Sequence, residues 1–166
     1  MEANNRPGPW LTAEQQQIWR SYLAMQRLLD ESIERDMQLT GHMPHAYYLI
    51  LAMLSEAPEH RLRMNRLAEV TGSSQSRLSH AVTRLEALGW VTREQDSTDR
   101  RGQVAALTPA GYERLVRTAP LHAETVRSVL FDPLTPEQQA ALGDICRTIL
   151  SAGDGEKQVR QMDPTA

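Results

Sequence analysis

The sequence predicts a mainly α chain with a small β wing, in which a helix-turn-helix and a charged hairpin are bracketed by longer amphipathic helices. Three observations carry this reading. Residues 64–70 and 73–89 both have helical apolar spacing, and the turn signal Thr71-Gly72 separates them. Residues 91–95 and 103–107 read as two strands flanking an arginine-bearing turn at 96–102. Helix start signals and apolar periodicity then recur on both sides of this central unit.

From the N-terminus, residues 1–9 are polar, lack the apolar core of a secretory leader, and are expected to form a tail. Thr12 followed by Gln15 fits a capping box. Ile18, Tyr22, Met25, Leu29, Ile33 and Met37 then form one face of a long first helix, which Gly41 ends. Pro44 opens a second helix running to Leu54, rich in Tyr47, Tyr48, Leu49, Ile50, Leu51 and Met53. Residues 62–64 are a candidate third strand beside the wing.

The short helix starts near Asn65, and the longer one that follows is closed by Gly89. Leu78, Ala81, Val82, Leu85 and Leu88 give the longer helix an apolar stripe. Ser76, His80 and Thr83 lie opposite, flanked by Ser73, Arg77 and Arg84. Small hydroxyls allow a backbone to approach DNA closely, and arginine donates bidentately to guanine edges or supplies charge to phosphates. Ser74 and Gln75 lie in the first turn, the part of a recognition helix that usually meets base edges. In the hairpin, Arg93, Arg100 and Arg101 crowd together, offset by Asp96 and Asp99. Like charges gain nothing in folding from this proximity, whereas the negative potential of a narrow minor groove rewards it.

After the wing, Thr108-Pro109 places an N-cap before proline at the first helical position. The helix it opens carries Leu115, Val116, Leu121, Val126, Val129 and Leu130 and ends before Pro133. Thr135-Pro136-Glu137-Gln138 repeats the signal for a final helix with Leu142, Ile145, Ile149 and Leu150. The expected division is one domain at residues 10–150, with tails at 1–9 and 151–166. Within it, 44–108 is the winged helix-turn-helix DNA-binding lobe, its wing at 91–107. Residues 10–40 and 109–150 make a helical dimerisation region, because they carry more apolar surface than a lone winged helix needs.

Charge is partitioned in the same way. The net charge of the 166-residue chain is -3, unfavourable for a polyanion if evenly spread. Residues 61–101, however, carry a net +3, against -4 before them and -2 after. The positive segment is the one with the DNA-reading pattern, and local potential outweighs the total. A single cysteine excludes an intramolecular disulfide framework, and the apolar run 46–54 is too short to span a bilayer. These features predict a cytoplasmic protein. No phosphate loop, nucleophile elbow or catalytic His/carboxylate spacing is present, so an enzyme is not expected. The alternative to a DNA-binding regulator is a winged-helix adaptor for proteins, which has no need of so many arginines.

The wing Asp96-x-x-Asp99-Arg100-Arg101, followed by Val104-x-x-Leu107-Thr108-x-x-Gly111, resembles the MarR family of bacterial transcriptional regulators. The similarity extends over residues 11–150, and the wing with Leu-Thr-x-x-Gly is its specific part. The resemblance implies a winged-helix homodimer on pseudo-palindromic DNA, usually a repressor relieved by a small molecule or oxidant. Ser73, Ser74, Gln75, Ser76, Arg77 and His80 are then expected to read or approach bases. Arg84 and Arg93 would contact phosphates, with Arg100 and Arg101 reaching the minor groove. Trp10, Leu11, Leu130, Phe131 and Leu134 are the dimer-interface candidates.

The resemblance also implies an effector site between the dimerisation helices and the DNA-binding lobe. Trp19, Tyr22, His42, Met43, His45, Tyr47 and Tyr48 would line it and suit a small aromatic or amphipathic ligand. Pro44 interrupts the His42/His45 pair and no cysteine lies nearby, so neither a metal nor another cofactor is expected. Cys146 falls among Leu142, Ile145 and Ile149 and reads as a small apolar filler rather than a redox sensor.

Overall fold

The computed structural model describes residues 10–95, 102–152 and 162–165. The chain runs α1 (Ala13–Leu39), α2 (His45–Glu56), a 3₁₀ turn (Pro58–His60), β1 (Arg61–Arg63), α3 (Met64–Val70), α4 (Gln75–Ala87), β2 (Val91–Gln95), β3 (Gln103–Leu107), α5 (Pro109–Val126), a π-helical turn (Arg127–Phe131) and α6 (Pro136–Ser151). The strands form one antiparallel sheet in the order β1-β3-β2. The third strand falls one residue earlier than the alternation of 62–64 implies, and Met64 becomes the first residue of α3.

Local chemistry sets the helix starts. At α1, Gln15 N donates to Thr12 Oγ1 at 3.2 Å while Thr12 N donates to Gln15 Oε1 at 3.0 Å, a reciprocal capping box. Thr135 and Gln138 repeat it at α6. Thr108 caps α5 by accepting from Gly111 N at 3.0 Å, with Pro109 in the first turn. α5 also tolerates Pro120 within it, and the helical path continues through the π turn towards Pro133.

α2 is apolar on nearly every side and passes through the middle of the lobe, burying Tyr48, Ile50, Leu51 and Leu54. Met37 of α1, Leu67 of α3, Leu78, Val82 and Leu85 of α4, Val91 of β2 and Leu115 of α5 pack around it. Each such side chain contributes about 1.5–3 kcal/mol through burial. The apolar face of α1 is used unevenly. Ile33 and Met37 are buried, whereas Ile18, Tyr22 and Met25 are exposed. Only the C-terminal part of α1, from Leu29 onward, packs into this core, where Thr125 of α5 donates to Asp36 Oδ2 at 3.0 Å.

α6 differs from every other long helix, since all its residues stay exposed or half-buried. Cys146 is exposed there, which corrects its reading as a filler between apolar neighbours. Periodicity detects an apolar stripe but not whether the same chain covers it. Among the described residues, no helix is long and apolar enough to cross a membrane.

Candidate nucleic-acid interface

The helix-turn-helix is built by α3, the turn at Thr71–Ser74 and α4. Thr71 Oγ1 donates back to Leu67 O at 2.7 Å, closing α3. Gly72 then takes φ +60°, a left-handed conformation with no steric cost for glycine, and redirects the chain. Ser74 is the N-cap of α4, its Oγ accepting from Arg77 N at 3.3 Å. The helix therefore starts at Gln75 rather than Ser73, and Ser74 holds the helix entry. Leu78, Val82 and Leu85 anchor α4 in the core. Gln75, Ser76, Arg77, His80, Thr83 and Arg84 are all exposed.

Arg77, His80, Ala81, Thr83 and Arg84 line an open groove of about 490 Å³ whose other wall is Ala46 and Tyr47 of α2. Tyr47 thus lies on the recognition-helix side and not at the effector junction where its sequence position placed it. Neighbouring positions on a helix point about 100° apart, which separates Tyr47 from the buried Tyr48.

Arg93, expected to contact phosphate, is engaged within the chain. From β2 its Nε donates to Glu86 Oε2 at 3.0 Å, and its Nη2 donates to Thr83 Oγ1 at 2.8 Å. A second guanidinium contact to Glu86 completes the ion pair, which is largely covered. In this structure Arg93 braces the wing's first strand against the recognition helix. Sequence reasoning missed this because Glu86 and Arg93 lie on different elements. Glu86→Ala should lower stability by about 1 kcal/mol, the scale of a partly exposed ion pair, and reduce DNA affinity by loosening the wing. Thermal melts and anisotropy check both; a change in neither would show that the brace is idle. Arg100 and Arg101, with the rest of 96–101, lie outside the described residues.

The predicted effector residues separate into two groups. Trp19 and Tyr22 stack on each other at 5.9 Å between centroids, half exposed on the outer part of α1. His45 and Tyr48 lie at the other end, where Glu34 Oε2 accepts from His45 N at 3.1 Å. The fifteen helical steps of α1 from Trp19 to Glu34 rise roughly 22 Å, so one chain cannot bring both groups to one small ligand. His42 is exposed in the α1–α2 link with φ 49°. Met43 is buried in the core.

His45 and Tyr48 instead meet His122 of α5, which no sequence spacing connects to them. The His122 ring lies 4.4 Å from Tyr48 and 5.3 Å from His45, roughly parallel to both. Burial lowers the pKa of His45, opposed by Glu34 and Asp30. Burial likewise lowers that of His122, reinforced by His45. Burial also pushes the Tyr48 phenol up. Among the described residues, no group of three or more His, Cys, Asp or Glu side chains is arranged to hold a metal ion.

Of the dimer candidates, Trp10, Leu11 and Phe131 are exposed while Leu130 and Leu134 are half-buried. The structure adds Ile18, Leu23 and Leu28 of α1 and Ile145 and Ile149 of α6, all exposed.

Residues 43–102, from just before α2 through β2 to the start of β3, match the model of the MarR family. The structure is similar to that of Sco3205, a MarR family transcriptional regulator from Streptomyces coelicolor solved in complex with DNA. Identity is 52%, covering 86% of this chain and 93% of that one, with a TM-score of 0.79. The chain belongs to the MarR family. AbsC, a second MarR family transcriptional regulator from S. coelicolor, is 40% identical over 88% of this chain and 98% of its own, also at TM-score 0.79. The transcriptional repressor MprA of Escherichia coli strain K12 is 26% identical over 141 residues, 85% of this chain and 79% of MprA. This MarR family transcriptional regulator therefore has regulators, not enzymes, as its relatives, and its α3–α4 unit and β2–β3 wing are the family's winged helix.

Proposed function

We propose that this MarR family regulator is a homodimeric repressor that binds a pseudo-palindromic operator and releases it when a small aromatic or amphipathic effector binds. The observation that carries the reading is α4, whose buried side is fixed by Leu78, Val82 and Leu85 while Gln75, Ser76, Arg77, His80, Thr83 and Arg84 stay exposed. A rigid helix presenting this set suits base edges and phosphates of double-stranded DNA. Sco3205, solved with DNA, supports the partner, and MprA, named a repressor, supports the sign of regulation.

In this reading residues 44–108 bind DNA, and 10–40 with 109–150 form the dimer. Ser73, Gln75, Ser76, Arg77 and His80 approach bases, Ser74 holds the helix entry, Arg84 contacts phosphate, and Arg100 and Arg101 enter the minor groove. The effector site lies at the α1–α2–α5 junction around His45 and Tyr48. A regulator of this kind works in the cytoplasm.

Fluorescence anisotropy with DNA from upstream of its own gene, against a scrambled control across a salt series, tests the reading. The expected result is preferential binding that weakens linearly in log salt. Failure to bind any duplex at low salt would leave the adaptor reading in its place. Arg77→Ala should cost about 1–3 kcal/mol and relax sequence preference at one position if Arg77 pairs with guanine. Uniform weakening across sequences would make it a phosphate contact.

A further inference from the structure

We propose that the His45–Tyr48–His122 stack is a proton-operated latch that holds α5 against α2 while both imidazoles are neutral, and that opens on proton uptake to weaken DNA binding. The proposal rests on the DNA-binding reading above and adds to it a signal.

The geometry is that of a closed clasp between two elements distant in sequence. His122 of α5 stacks on Tyr48 at 4.4 Å and on His45 at 5.3 Å, with interplanar angles of 24° and 22°. His45 Nε2 is buried and has no hydrogen-bond partner among the described residues. A proton added there creates a charge with no acceptor, a few ångströms from a second imidazole that takes up protons over the same range. Like charges at that separation repel, so the stack cannot hold two protons and holds one poorly.

The surrounding charges give the opening a direction. α1 presents Asp30 and Glu34 to His45, and Glu34 already accepts from the His45 backbone. Tyr48 of α2 stays neutral in this range. Arg127 and Asp132 share an open pocket with His122 beyond the end of α5. Arg114 of α5 is held by Gly41 O. On the far side of α2, α4 presents Arg77, His80 and Arg84 to Ala46 and Tyr47. An imidazolium at His45 is drawn towards the α1 carboxylates and away from His122. α2 also forms a wall of the recognition-helix groove, so its displacement reaches α4 directly.

The sign follows from burial. Both imidazoles hold protons less well in the stack than in water, so the stacked form is favoured above the ordinary histidine pKa of about 6.5. Its advantage is lost as pH falls below that value.

The test measures DNA affinity of the full chain by anisotropy from pH 8 to 5.5 at constant ionic strength, with and without His122→Phe. Without the substitution, affinity should fall on the order of fivefold or more across this range. Adding His122→Phe, which keeps an aromatic ring in the stack but removes its proton site, should leave affinity at pH 8 unchanged and flatten the profile. Superimposable profiles with and without His122→Phe overturn the latch. NMR titration of the wild-type imidazole protons needs neither DNA nor a variant. Loss of the Tyr48 ring-current shifts as His45 and His122 titrate supports the latch, and titration without that change overturns it. If the wild-type protein binds no duplex at pH 8, the DNA-binding reading fails while the NMR arm still decides whether the stack opens.

Discussion

Gly111→Ala should destabilise the winged-helix lobe by about 2–4 kcal/mol. A Cβ at this position would lie 2.1 Å from Trp90 O and 2.8 Å from Leu107 Cδ1, and the first of these neighbours is backbone. Relief requires the first turn of α5 to lift away from the α4–β2 corner. That corner is fastened by Thr108 N donating to Trp90 O at 3.1 Å and Thr108 Oγ1 donating to Gly89 O at 2.7 Å. Arg114 is packed over the Trp90 ring, 5.3 Å from its centroid, and moves with the same turn. Two loosened hydrogen bonds cost about 1 kcal/mol each, and overpacking adds about 1–3 kcal/mol. Alanine's better helix propensity returns only about 1 kcal/mol, so the clash decides the sign. At fixed protein concentration Tm should fall by roughly 10 °C. A change within about 2 °C would show that α5 can slide off Trp90 without loss.

Gly111 also marks the limit of sequence reading. Its place in Leu-Thr-x-x-Gly supported the family resemblance, but the reason for glycine appears only where α5 crosses the Trp90 carbonyl. The legible features were those written within a few residues of one another. Thr12 with Gln15 and Thr135 with Gln138 set helix starts through contacts three residues apart, Thr108 directly before Pro109 sets another, and all three helices begin there. Boundaries were less secure where two residues qualify for one role. Ser73 and Ser74 both suit an N-cap, and only the structure selects Ser74. Features that depend on distant pairing were not readable. The Arg93–Glu86 ion pair is one, since its partners belong to different elements. His45 looked like one of a pair with His42, whereas its ring neighbours are Tyr48 and His122. The apolar faces of α1 and α6 were visible as periodicity, but periodicity does not say what covers them.

Ile149→Asp addresses that last point and should abolish tight DNA binding without unfolding the chain. Ile149 is 68% exposed and Ile145 55% exposed, so neither contributes much to the core of one chain. A helix of this length with two exposed isoleucines, together with exposed Ile18, Leu23 and Leu28 on α1, leaves apolar surface that water disfavours. A second copy of the chain supplies the same surface, and a two-fold contact would bury Ile149 from both subunits. The substitution then places two carboxylates in the dimer interface, each costing several kcal/mol when buried unpaired. Even 4 kcal/mol in total weakens association roughly a thousandfold. Light scattering should shift from twice the 18.7 kDa chain mass to that mass, while far-UV circular dichroism is retained. DNA affinity should fall by about a hundredfold or more, because one recognition helix no longer carries its partner into the next major groove about 34 Å away. A variant that remains dimeric would remove α6 from the interface and assign dimerisation to other surfaces, of which α1 has the largest exposed apolar face. A variant that becomes monomeric yet still binds the full operator tightly would refute the two-helix reading itself, since affinity would then come from a single winged helix.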